Sequence, residues 1–133
     1  MEVLKVKTAR RTQLVDVTEE VEKAAKGAGV SSGVCYVYVP HTTAGVIINE
    51  HFDPDVASDL EAVFDRLVPR SGSYRHSEGN SDSHAKAAMT GASQMIFVED
   101  GKLALGRWQG VFFCEFDGPR ERNVWVQVIG NPR

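Results

Sequence analysis

Val34-Cys35-Tyr36-Val37-Tyr38-Val39 runs into Pro40-His41-Thr42-Thr43-Ala44-Gly45 and leaves again as Val46-Ile47-Ile48. Two β-rich apolar runs therefore meet at a proline. Proline cannot donate to a sheet ladder, so the chain turns at Pro40 and resumes as a second strand. The turn presents an imidazole and two hydroxyls. Asn49-Glu50-His51-Phe52-Asp53 closes the second run with acidic side chains. An imidazole at one strand end and carboxylates at the next is how loops carry chemistry on a rigid scaffold. Taken alone, the hexapeptide also fits a polar turn with no further role.

Outward from this stretch the pattern alternates between strands and short helices. Residues 2–8 and 13–17 read as strands. Thr18, Glu19 and Glu20 suit a helix start, and Gly27 and Gly29 suit its end. Asp53-Pro54 opens the clearest helix, with Asp53 as cap and Pro54 in the first turn. Val56, Leu60, Val63, Phe64 and Leu67 give it one apolar stripe, and Pro69 stops it. Asp55 and Asp59, four apart, share a side that faces solvent or the His41 loop. Residues 70–82 form a polar loop. A short alanine-rich helix through His84, Lys86 and Met89 follows, closed by Gly91. Residues 95–98, 103–105, 110–116 and 123–129 read as strands, with Asp100-Gly101 a hairpin turn. The expected fold is α+β: one small domain over 1–133, with a mixed β-sheet and two to three helices.

Composition limits the function. The chain has 133 residues, 42% of them hydrophobic and 25% charged, enough for one domain with a real core. A net charge of −3 argues against a general nucleic-acid binder. No apolar run approaches membrane-spanning length, and residues 1–5 carry no signal-peptide core. A soluble cytoplasmic protein is expected. Cys35 and Cys114 sit in apolar runs and match no metal motif, so buried free thiols are expected.

Three of the four histidines, His41, His76 and His84, stand beside turns or helix starts. Imidazoles serve as metal ligands and as acid–base groups near neutral pH. With Glu50, Asp59 and Glu78 they could form a mixed divalent-metal site, or act as general acids and bases without a metal. Their spacing is not that of a helical zinc motif. Gly106-Arg107-Trp108-Gln109-Gly110 offers an aromatic wall and an amide for a ligand, or a core tryptophan at a bulge. Arg120 and Arg122 on the Asp117-Gly118-Pro119 turn suit phosphate binding, or a solvated basic turn.

The ordered set His41-Thr42-Thr43-Ala44-Gly45, Ile48-Asn49-Glu50, Asp53-Pro54-Asp55, Asp59, Val68-Pro69, Tyr74-Arg75-His76, Ser83-His84 with Lys86, Gly91-Ala92-Ser93, Gly101, Leu105-Gly106, Trp108-Gln109-Gly110, Asp117-Gly118-Pro119-Arg120 and Arg122 resembles the YjbQ-type family along nearly the whole chain. The resemblance implies a homotrimer packed through its sheets. It also implies a pocket around the three histidines and nearby carboxylates. The implied activity is a weak, secondary thiamine-phosphate synthase that joins a pyrimidine-methyl diphosphate to a thiazole phosphate. On that basis His41, Glu50, Asp59, His76 and His84 are the expected catalytic residues. Thr42, Thr43, Lys86, Trp108, Gln109, Arg120 and Arg122 are expected to bind a small phosphorylated metabolite. A divalent ion, zinc or magnesium, is expected on His41, His76 and His84, with a bound phosphate or sulfate as the alternative. His51 stands where the family commonly has asparagine and is expected outside the pocket; Arg107 stands where a small hydroxyl residue is common. A metal-dependent hydrolase or lyase, and a non-catalytic trimeric binding protein, are the competing classes.

Overall fold

Alternation along the strands sorts the side chains into layers. In the computed structural model, which describes residues 1–132, the order is β1 (Glu2–Lys7), β2 (Gln13–Asp16), α1 (Thr18–Gly27), β3 (Val30–Tyr38), β4 (Ala44–Glu50), α2 (Pro54–Leu67), α3 (Ser81–Thr90), β5 (Ser93–Glu99), β6 (Lys102–Leu103), β7 (Gln109–Glu115) and β8 (Glu121–Pro132). Five strands form one sheet in the order β1-β8-β3-β5-β6, and three form another in the order β2-β7-β4. Every pairing is antiparallel. The expected mixed sheet is thus replaced by two antiparallel sheets. Pro40 is the reason: the chain turns there as expected, but β3 and β4 enter different sheets. The segment after α3 closes that corner, with Val39 N–H donating to Ala92 O (2.7 Å) and Val46 N–H to Gly91 O (3.1 Å).

The main core lies between the sheets. Cys35 and Val37 of β3, Val39 just after it, Ile96 and Val98 of β5, and Val124 and Val126 of β8 meet Val46, Val111 and Phe113 from the smaller sheet. Val21, Ala24 and Ala25 of α1 join the same cluster. Each fully buried side chain of this size contributes about 1.5–3 kcal/mol by leaving water. The other face of β7 carries Phe112 and Cys114, which with Phe116 pack against Leu60 and Phe64 of α2 and Ala87 of α3. Helices on one side and the larger sheet on the other thus bury β7 on both faces.

Asp53 caps α2 by accepting from Asp55 N–H (2.9 Å), and Pro54 takes the first turn. The stripe is narrower than the spacing predicts. Ala57, Leu60 and Phe64 pack on the sheet, Leu67 is exposed, and no residue of α2 is fully buried. Asp100 (φ 52°) and Gly101 (φ 76°) make the expected tight turn into β6. Gly45, deep in the decisive stretch, admits no side chain. A Cβ there would stand 2.2 Å from Thr90 Oγ1 and 2.7 Å from Gly91 O, so β4 lies directly against the end of α3. Both cysteines are buried free thiols, and burial pushes Cys35 up to about 11.

The outer face of the larger sheet is apolar and open. Tyr36, Tyr38, Met95, Phe97 and Ile129 are all exposed there, Phe97 and Ile129 at 59% each.

Candidate functional site

His41 lies in the β3–β4 corner, and Arg122 lies near the start of β8. The register of β8 brings them together: the Asn123 amide donates to His41 Nε2 (2.9 Å). An amide can only donate, so Nε2 is a lone pair and the ring proton of neutral His41 sits on Nδ1. Burial, then the charge of Arg122, holds the His41 imidazole below its usual value, against the opposing pull of Glu115. His41 is therefore neutral at pH 7.

Arg122 is held by a buried network. Its Nε donates to Glu115 Oε1 (2.9 Å), and its Nη2 donates to Glu115 Oε2 and to Thr43 Oγ1 (2.9 Å). Thr8 Oγ1 also donates to Glu115 Oε1 (2.8 Å), and the Asp117 amide to Oε2 (3.1 Å). Arg122 is 3% exposed and Glu115 is wholly buried. Nη1 of Arg122 is neither bonded within the described residues nor among their buried unpartnered atoms, so it opens to the space outside. That space is a cleft of about 710 Å³. His41, Thr42, Thr43, His84, Arg120 and Arg122 line one part of it, and Tyr38 and Trp125 wall another with ring centroids 5.6 Å apart. Asn80, the residue before α3, also lines it and makes no side-chain cap. The first turn of α3 gives His84 to the same lining, while its Ser83 and His84 amides donate back to Asn80 O (3.0 and 3.3 Å).

The expected residues divide into three groups. His41, Thr42, Thr43, His84, Arg120 and Arg122 come together. His76 adjoins them: its ring meets His84 edge-on at 5.5 Å, and its Nε2 lies 3.6 Å from Glu78 of the cleft wall. Thr43 acts as a prop, its hydroxyl and carbonyl turned to Arg122.

The second group lies elsewhere. Glu50 pairs with Gln109 at the far end of β4 from His41. The seven residues of β4 span about 20 Å between the two ends. Trp108 is 53% exposed there, with Arg107 5.0 Å above its ring and Phe52 edge-on at 5.4 Å. Gln109 Oε1 accepts from Gly106 N–H (2.8 Å), so its amide closes its own turn. Asp59 is an exposed residue of α2. Glu50, Asp59, Trp108 and Gln109 are thus not part of the histidine cleft. The strand direction of β4 decides this, because its two ends carry separate motifs. His51 is outside the cleft, as expected. Its Nδ1 bonds Asp16 Oδ2 (2.9 Å), and its ring lies against Gly110, where a Cβ would come within 2.3 Å.

Lys86 is the third case. It is buried, not directed at a ligand: its Nζ donates to Asp65 (2.9 Å) and Asp82 (3.0 Å), and Arg11 donates to Asp82 from outside (2.9 Å). It fastens α3 to α2.

A three-histidine metal centre does not fit this arrangement. His41 Nε2 is already taken, and among the described residues no three His, Cys, Asp or Glu side chains are grouped to hold a metal ion. Glu115 is the residue that sequence reasoning missed. Its signal is a carboxylate in an otherwise apolar strand, seven residues before an arginine.

A family model described as UPF0047 protein YjbQ-like matches residues 2–131. The chain belongs to the YjbQ-like UPF0047 family. It is 46% identical to the UPF0047 protein YugU of Bacillus subtilis over 131 residues, 98% of this chain and 99% of that one. A UPF0047 protein of Methanocaldococcus jannaschii is 47% identical over 126 residues, 95% of this chain and 91% of its own. Among solved structures, a conserved YjbQ/UPF0047 family protein from Clostridium acetobutylicum superposes with a TM-score of 0.95 at 49% identity, covering 97% of this chain and all of that one. A YbjQ-like protein from Sulfolobus solfataricus gives 0.94 at 34% identity, over 98% and 96%. The YjbQ-like fold is thus an α+β domain of antiparallel sheets with three helices. No helix among the described residues is long and apolar enough to cross a membrane.

Proposed function

We propose that the cleft binds the phosphate groups of a small phosphorylated metabolite, and that the protein is a weak transferase of the thiamine-phosphate synthase type. The observation that carries this is the open Nη1 of a buried Arg122 beside neutral His41. Such preorganised donors stabilise charge that develops on a leaving group. In this reaction the bond from the pyrimidine methylene carbon to diphosphate oxygen breaks, and diphosphate leaves with the electron pair. The thiazole nitrogen then supplies its lone pair to that carbon, giving a thiazolium. Arg122 and Arg120 hold the departing diphosphate. Tyr38 and Trp125, not Trp108, wall the developing cation. His41 donates from Nδ1 without needing to be protonated.

The working assembly in this reading is a homotrimer in the cytoplasm, and the outer sheet face supports association between copies. Contiguous exposed apolar faces of this kind mark interaction surfaces. Strand β7 takes no part in that surface, since its two faces are covered within the chain.

Purified protein incubated with both substrates should release diphosphate and form thiamine phosphate, slowly, without added zinc. Binding of the phosphates without turnover would favour a ligand-binding protein. Turnover on other phosphate esters that requires a metal would favour a hydrolase or lyase. Sedimentation at micromolar concentration should give the trimer mass; a monomer would count against the assembly.

A further inference from the structure

Asn80 holds the sole buried side-chain nitrogen or oxygen atom without a hydrogen-bond partner among the described residues, its Oδ1. The orientation of the amide is fixed. Its Nδ2 donates to Asp117 Oδ2 (2.9 Å), and Asp117 also accepts from Arg120 and Arg11. Turning the amide over would set two oxygens against each other, so the orphan must be the acceptor. A buried acceptor left unpaired carries an uncompensated desolvation cost, and one that persists calls for an explanation. Asn80 is also a cleft residue, and the 71–79 segment beside it is exposed throughout.

We infer that Asn80 is a specificity residue: its Oδ1 pairs with an N–H or O–H donor of the bound ligand. This rests on the phosphate reading of the cleft and narrows its ligand to phosphorylated molecules that carry such a donor on the attached organic group. A small shift of the segment before α3 brings Oδ1 from cover into the cleft. Pairing then removes the cost that the free chain carries. An analogue with a methyl group in place of the donor leaves Oδ1 unpaired and is discriminated against.

The test compares isosteric probes on the full chain. 2-Hydroxyethyl phosphate is set against propyl phosphate, and 3-hydroxypropyl phosphate against butyl phosphate, by calorimetric titration. Within each pair the charge is equal and a hydroxyl replaces a methyl. At least one hydroxyl probe should bind about tenfold more tightly than its methyl partner, as one recovered hydrogen bond implies. Asn80→Ala should abolish that preference while still binding inorganic phosphate. Equal affinities within both pairs would overturn the role of Asn80 and leave the phosphate cleft standing. Failure of every probe and of inorganic phosphate to bind would overturn the cleft reading itself, and this inference with it. The wild-type comparison decides the matter even if the variant does not fold.

Discussion

Arg122→Ala is expected to destabilise the chain by about 3–5 kcal/mol at pH 7, because it leaves the buried Glu115 carboxylate without its cation. For a domain of this size that corresponds to a fall in Tm of about 10–18 °C. Thermal and urea unfolding check it. The pH dependence gives a second signature. Burial alone would raise the Glu115 pKa. The hydrogen bonds from Arg122, Thr8 and the Asp117 amide, with the charge of Arg122, outweigh burial and hold it below the usual carboxylate range. A carboxyl depressed in the folded state contributes stability above its unfolded pKa, and that contribution is lost as pH falls through the folded value. The wild type therefore loses it in acid, below pH about 4. In the variant only the Thr8 hydroxyl and the Asp117 amide still oppose burial, and the folded pKa rises. The deficit should then shrink as pH is lowered from 7 toward 4. A deficit that is small, or that grows in acid, would mean that Glu115 is not held as a buried anion. Replacing the pair together, Arg122→Met with Glu115→Leu, should recover part of the loss and none of the phosphate binding.

Lys86→Ala is the second large effect, about 2–4 kcal/mol, with phosphate affinity unchanged. Its ammonium is buried between Asp82 and Asp65, and Asp82 is itself fully buried. Burial pulls the Asp82 pKa up. The hydrogen bond and charge of Lys86, then the charge of Arg11, outweigh it and hold the carboxyl below its usual value. Arg11 remains in the variant, so the loss is smaller than at Arg122. Equilibrium unfolding reads the stability, and phosphate titration at a temperature where the variant is folded reads the affinity. A stable variant that has lost phosphate binding would restore Lys86 to the ligand site.

These two residues show what the sequence makes legible. Lys86 and Arg122 both belong to the family pattern, and both were expected to touch substrate. A pattern of shared residues does not show that Lys86 only balances buried carboxylates while Arg122 both balances one and lines the cleft. That distinction depends on burial and on partners far along the chain: Arg122 reaches Thr43, 79 residues away, and Lys86 reaches Asp65. Local chemistry was easier. Asp53-Pro54, Asp100-Gly101 and the strand alternation of β3 and β5 placed their elements within a few residues. The sheet assignment was not visible, since Pro40 marks a turn without saying that β4 joins a second sheet. The same gap sent Glu50, Trp108 and Gln109 to the wrong end of the molecule. Their motif adjoins that of His41 in sequence, but β4 carries it to the opposite edge.

His41 also changes the terms of the metal question. From sequence, a histidine cluster binds either a metal through neutral rings or an anion through protonated ones. With Nε2 occupied by the Asn123 amide, neutral His41 offers a donor, so an anion needs no protonation there. The direct measurement is titration of inorganic pyrophosphate into chelator-stripped protein at pH 7.5, followed by zinc alone from pH 6 to 8. The phosphate cleft predicts saturable pyrophosphate binding without metal, weakened about tenfold by His41→Ala with the unfolding transition retained. No pyrophosphate binding to the stripped protein, together with zinc uptake that tightens as pH rises, would contradict it.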